Sequence, residues 1–143
     1  MRFWDTSAIV PVCVQEPASP DVKAILVKDS GVVVWWATRT ECVSALTRQV
    51  REGMLTGAGE QQAREVLEAL SNAWVEVQPS ETLRRTAERL LAVHPLRAAD
   101  AFQLAPAFQW CRGQPAGNAL VSFDARVREA GRREGFGVLP AEA

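Results

Sequence analysis

The chain has 143 residues, the length of one domain, with 48% hydrophobic and 23% charged residues. That balance excludes a disordered chain, which would be poorer in apolar residues and more lopsided in charge. Sixteen basic residues nearly cancel seventeen acidic ones, so the bulk charge shows none of the basic excess typical of nucleic-acid binders. Lys23 and Lys28 are the only lysines, and the remaining basic residues are all Arg. Only five acids are Asp: Asp5, Asp21, Asp29, Asp100 and Asp124.

Cys13, Cys42 and Cys111 are odd in number, far apart and form no CxxC pair. They support neither a disulfide framework nor a zinc site and read as thiols in a reducing cytoplasm. The longest apolar run, 32–37, is too short to span a bilayer, which takes roughly 20 residues, so no membrane partner is expected. Asp5 interrupts the N-terminal apolar stretch at once, so no secretory signal is expected and a cytoplasmic location is. The single His, His94, excludes mechanisms that need a His pair. It precedes Pro95 at a predicted helix end, where it would meet the helix dipole.

In chain order, residues 2–5 read as a short buried strand that runs directly into the helix-start residues Thr6 and Ser7. Residues 8–14 read as a helix limited by Pro11, and 16–20, with two prolines, as a loop. Val22, Ile25 and Leu26 give 21–28 a helical spacing. The continuous apolar run 32–36 predicts a strand buried on both faces. Residues 38–51 and 59–72 read as two amphipathic helices joined through Gly53, Gly57 and Gly59. Their inward faces are Cys42, Val43, Leu46 and Val50, then Ala63, Val66, Leu67 and Leu70. A short strand over 74–77 leads to a helix over 80–93 with Leu83, Ala87, Leu90 and Leu91 inward. Residues 97–112 read as a helix that Pro106 should kink. A strand over 119–123, a helix over 125–134 and a last strand over 136–139 complete the chain. Strands alternating with helices predict a three-layer α/β/α sandwich around a parallel sheet of about five short strands, within one domain over 1–143. In such sheets ligands bind beyond the carboxyl ends of the strands, where the strand order reverses.

Asp5 and Asp124 fall at the carboxyl ends of two predicted strands. Asp100 lies in the first turns of a helix and Glu41 near the start of another. Each has a plain alternative. Asp5 and Asp124 suit helix caps, Asp100 suits a helix N-terminus, and Glu41 suits a solvated face. Together they are more telling, because converging carboxylates repel one another and need a counter-charge. For an all-oxygen cluster without His or Cys the usual counter-charge is Mg²⁺ or Mn²⁺.

The stretches FWDTSAIV (3–10), TRTECVSAL (38–46), LRAADAFQLA (96–105) and LVSFDARVREA (120–130) resemble the four signature blocks of the PIN domain. More closely, they resemble those of the VapC toxins of bacterial toxin–antitoxin pairs. The resemblance implies a Mg²⁺- or Mn²⁺-dependent endoribonuclease that leaves 5′-phosphate and 3′-hydroxyl ends. It also implies a cognate VapB-like antitoxin and a homodimer. Asp5, Glu41, Asp100 and Asp124 match its four acids. Thr6 matches the polar residue that helps to orient the first acid or a metal-bound water, and Ser122 matches a supporting Ser/Thr position. Pro11 and Pro106 depart from the pattern without touching a ligand position. Trp35 and Trp36 read as core and strand end, or as an antitoxin or RNA contact.

Other functions fit less well. A Mg-dependent phosphatase of the haloacid-dehalogenase kind needs a second Asp where Ser7 stands. A receiver-like signalling domain needs a late Lys, and both lysines fall in the first 28 residues. A PIN fold that only binds a partner would have no need of all four acids. Nine of the arginines lie between Arg84 and Arg133, which suggests an RNA-compatible surface, with Arg126 and Arg128 as candidate phosphate contacts.

Overall fold

The computed structural model describes residues 1–142. Strands β1 (Arg2–Trp4), β2 (Val32–Trp35), β3 (Val75–Val77), β4 (Ala119–Val121) and β5 (Gly137–Leu139) form one all-parallel sheet. Its order is β3-β2-β1-β4-β5. The chain builds outward from β1 in one direction and then returns to β1's other edge, so the order reverses between β1 and β4. Phe3 pairs with both Val33 and Leu120, which levels the three central strands.

Side chains that alternate along these strands feed two cores. Trp4, Val32, Val34 and Val121 face helices α1 (Thr6–Cys13), α2 (Ser19–Lys28), α3 (Thr38–Arg51) and α4 (Gly57–Ala73). Phe3, Val33, Trp35 and Leu120 face α5 (Glu81–Val93), α6 (Ala98–Trp110) and α7 (Ala125–Glu134). This is the three-layer sandwich that the alternation of elements predicts. Both layers can pack closely because central parallel strands present apolar residues on each face.

Local chemistry sets the element ends. Thr56 Oγ accepts from the Gly59 amide, and Ser80 Oγ accepts from that of Leu83, capping α4 and α5. The cap at Thr56 starts α4 two residues earlier than its apolar pattern predicts. Pro20 lies in the first turn of α2 and not in a loop, a position where its missing N–H costs nothing. Gly135, at φ 104°, ends α7 in the left-handed region. Gly131 lets α7 approach the sheet, since a Cβ there would lie 2.5 Å from Leu120 Cδ1.

One expectation is corrected and two are extended. Val66 and Leu91 are exposed. The buried stripes run 63–67 and 83–87–90, one residue wide per turn, and leave both side chains on the flank. Helix α6 continues through Pro106 as one element. Gln103 to Ala107 are all buried, and that packing holds the turn in which Pro removes one hydrogen bond. His94 ends α5 without serving its dipole alone; its buried Nε2 lies 2.6 Å from Glu134 Oε2 on α7. No helix among the described residues is long and apolar enough to cross a membrane.

Candidate active site

Beyond the carboxyl ends of β1 and β4 lies a cavity of about 360 Å³ lined by Asp5, Glu41, Asp100 and Asp124 together with Thr6 and Gln103. It sits at the switch point of the sheet, where a doubly wound fold places ligands. Asp5 follows β1, and its amide hydrogen-bonds to Val121 O of β4. Asp124 follows β4 and begins α7. The two acids come from neighbouring strands that end level.

Asp5 is buried, but its carboxylate does not cap α1. Its Oδ2 instead accepts from Ser7 Oγ (2.7 Å) and from Ser122 Oγ (2.6 Å). Ser122, fully buried on β4's extension, also accepts from the Asp124 amide (3.1 Å). Ser7 accepts from the Phe123 amide (2.9 Å). The two serines therefore bolt the end of β1 to the end of β4. Asp124 does cap a helix: its Oδ1 accepts from the amides of Arg126 and Val127. Asp100, also buried, accepts through Oδ2 from the Arg97 amide (2.9 Å) and lies 3.4 Å from Arg97 Nε. These bonds serve the helix starts and use one oxygen of each carboxylate.

Glu41 reaches the cavity from the first turn of α3. Its Oε1 accepts from Gln103 Nε2 (2.7 Å) and from Thr6 Oγ1 (3.3 Å). Thr6 thus contacts Glu41 and does not stand beside the first acid, the first of the two roles that the resemblance implies for it. Ser7, which the sequence reading passed over, takes that place. The signal for Ser7 was its position two residues after Asp5 at a helix start, where a hydroxyl commonly turns back on the chain. Gln103 was also missed; it stands three residues after Asp100 and so shares a helix face with it.

The electrostatics follow from this packing. Burial pushes the Asp5 carboxyl above its usual range; the bonds from Ser122 and Ser7 oppose the rise, and the nearby Asp124 charge adds to it. Burial likewise raises Glu41, with the Asp5 charge adding and Thr6 and Gln103 opposing. Like charges are thus held together chiefly by uncharged donors.

A PIN-domain family model matches residues 2–133. This chain belongs to the PIN-domain family. Among solved structures it is similar to VapC20 of Mycobacterium tuberculosis, described as a sarcin-ricin loop cleaving toxin. That match has a TM-score of 0.67 and 18% identity, over 92% of this chain and 95% of that one. It is also similar to FitAcB from Neisseria gonorrhoeae, with a TM-score of 0.69 and 18% identity over 99% of this chain and 98% of that one. Both likenesses are of fold. Among curated proteins no sequence is significantly similar.

The donor set of this PIN domain is all oxygen, which suits a hard divalent cation. Among the described residues no three acidic, His or Cys side chains close around a single point. The residues therefore fit an ion that keeps several waters and takes one or two carboxylates at a time, as Mg²⁺ does, and they do not form an all-protein cage.

The arginine reading needs correction at Arg128, whereas Arg126 is exposed. Arg128 is buried, and its guanidinium donates to Ser122 O (2.7 Å), Leu139 O (3.3 Å) and Pro140 O (2.8 Å). It ties β4 to β5 and is unavailable to a phosphate. Arg84 and Arg85 pair with Glu81, Arg89 with Glu134, Arg97 with Asp100 and Arg133 with Glu129. Arg48 and Arg97, both exposed, line the cavity itself.

Proposed function

We propose that this PIN domain is a Mg²⁺- or Mn²⁺-dependent endoribonuclease, the toxin of a toxin–antitoxin pair restrained by a cognate VapB-like antitoxin. The observation that carries the reading is the meeting of Asp5, Glu41, Asp100 and Asp124 at one cavity on the switch point of the sheet. The resemblance to VapC sequences and the sarcin-ricin loop cleavage described for VapC20 support RNA as substrate. The same resemblance supports a homodimer and a cytoplasmic site of action.

The four carboxylates would hold the ion between them, one or two directly and the others through its waters. When bound, it lowers the pKa of a coordinated water and stabilises the charge that develops on the phosphate. Ser7 and Ser122 keep Asp5 in one orientation, and α7's first amides do the same for Asp124. Thr6 and Gln103 hold Glu41. Arg48 and Arg97, on the cavity wall, suit the phosphates that flank the scissile bond.

The test is incubation of purified protein with total RNA and Mg²⁺ or Mn²⁺, with cleavage ends mapped and Asp5→Asn as control. New 5′-phosphate and 3′-hydroxyl ends are expected. Their rate of appearance should fall about 10³-fold in Asp5→Asn, the scale of several kcal/mol of lost transition-state stabilisation. Equal degradation by the two proteins would refute the proposal. Absence of both cleavage and Mn²⁺ binding would instead favour a catalytically inactive, partner-binding PIN fold.

A further inference from the structure

We infer that Gln103 is a positioning residue for the metal site: its amide sets the orientation of Glu41 toward the cation. The inference rests on the metal-dependent reading above and adds to it a residue outside the acidic set.

Glu41 differs from the other three acids in how it is held. Asp100 and Asp124 are short side chains fastened to backbone amides of their own helix starts. Asp5 is short and accepts from two serines, Ser7 only two residues away. Glu41 has one more rotatable bond, and its partners are side chains of two other helices, Thr6 on α1 and Gln103 on α6. A long carboxylate reaching into a cavity loses its rotamer freedom only if something outside its own helix holds it.

Gln103 supplies that restraint with defined chemistry. It is only 5% exposed. Its Nε2 donates to Glu41 Oε1 at 2.7 Å and to Thr6 Oγ1 at 3.1 Å. Thr6 Oγ1, having accepted, turns its own proton to the same Glu41 oxygen. The result is a closed triangle across α1, α3 and α6. The amide orientation follows from its neighbours, since the reverse would set a carbonyl oxygen against a carboxylate. In this orientation Gln103 Oε1 is buried without a hydrogen-bond partner among the described residues. The site therefore accepts an orphaned acceptor in order to direct both N–H groups at Glu41 and Thr6.

The choice of an amide also matters electrostatically. A Lys or Arg here would donate equally well but would neutralise Glu41 and compete with a cation. Gln binds one oxygen, adds no charge and leaves Oε2 outside the triangle. This is the work of the outer partners of metal ligands, which fix ligand geometry without touching the ion.

The test uses the full chain and measures Mn²⁺ binding directly, by calorimetry or electron paramagnetic resonance, without RNA. Gln103→Met keeps the volume and removes both donors. It should weaken Mn²⁺ binding about 10-fold, within the range for loss of an outer partner. Its RNA cleavage should return close to wild type at saturating Mn²⁺, a loss in metal affinity and not in turnover, which a merely structural role would not produce. Thr6→Val, at a half-exposed position, gives an independent variant should Gln103→Met fold poorly. It should weaken Mn²⁺ binding in the same direction, and the double variant should lose less than the product of the two effects, because both groups hold one oxygen. Unchanged Mn²⁺ affinity in folded Gln103→Met, or in Thr6→Val if the first does not fold, would overturn the inference and leave the nuclease reading intact. No Mn²⁺ binding by the wild type would overturn both.

Discussion

Two regions of this protein take charge out of water, and they do so in opposite ways. Along the inner face of α7, Arg128 meets three carbonyl oxygens at the ends of β4 and β5. Glu134, at the other end of that helix, meets His94 and Arg89. Every buried charge there has a partner of suitable sign or dipole, so the arrangement is complete within the chain. At the cavity, Asp5, Glu41 and Asp124 are brought together on hydroxyl, amide and backbone N–H donors, and among the described residues only Asp100 has an ion pair, with exposed Arg97. Satisfied charge stabilises the fold. Like charge assembled on neutral donors raises pKa values, a strain that a bound cation would relieve.

The comparison breaks most visibly at Arg128. Replacement by Ala takes a donor from three carbonyls, of which Leu139 O keeps the Ser122 amide, and should cost about 2–3 kcal/mol, measured by urea unfolding. Such a loss identifies Arg128 as a clamp between strands. Unchanged stability with weakened RNA binding would return it to the surface role that the arginine-rich sequence suggests.

Asp5→Asn tests the other half. Burial and the Asp124 charge raise the Asp5 carboxyl, so its ionised form is disfavoured in the folded state. Stability from this group is therefore lost as pH rises from its unfolded pKa through the higher folded one. Removing the charge should raise the thermal midpoint of the metal-free protein at pH 7 and abolish the further rise that Mn²⁺ gives the wild type. A lower midpoint in metal-free Asp5→Asn would show that the cluster is not strained by its charge.

Glu134 carries the opposite sign. Although burial alone would raise it, hydrogen bonds and charge from Arg89 and His94 leave its carboxyl below the ordinary value of 4.5. Its contribution is present above about 4.5, the unfolded value, and is lost as pH falls through the lower folded one. Thermal melts of Glu134→Gln from pH 7 to pH 3 should show a lower midpoint at neutral pH and a flatter acid limb than wild type. A parallel displacement at every pH would assign the effect to packing alone.

The contrast also explains what was legible in the residues. The four acids announced themselves because strand ends and helix starts can be located from apolar runs and caps. The sandwich followed because continuous apolar strands need cover on both faces. Of the holders of the acids, the resemblance named Thr6 and Ser122, but the contacts they make, and Ser7 and Gln103 altogether, were harder to see. Gln103 and Thr6 act across three helices, and no local pattern states that α1, α3 and α6 converge. Ser7 and Ser122 meet only because β1 and β4 are neighbours, a fact of strand order. Arg128 misled for a related reason. On a charged helix an Arg beside Val127 reads as solvated, and its burial depends on the close approach of α7 at Gly131.

The smallest expected effect lies at the cavity wall. Arg48 is exposed, borders the acidic cavity and sits on α3 one turn beyond Ala45, another wall residue. If the cavity holds a cation, the local field turns from repelling a phosphate to attracting it, and a guanidinium at the edge adds one contact. Arg48→Ala should then weaken RNA binding only a few-fold at low salt. In a salt titration of Kd in the inactive Asp5→Asn background, the logarithmic slope should shrink by about 0.7, the value for one contact to single-stranded nucleic acid. That background carries one acid fewer, so the cavity is less repellent even without metal and the slope isolates the arginine. A slope identical to that of the Asp5→Asn parent would place the phosphate path elsewhere on the surface.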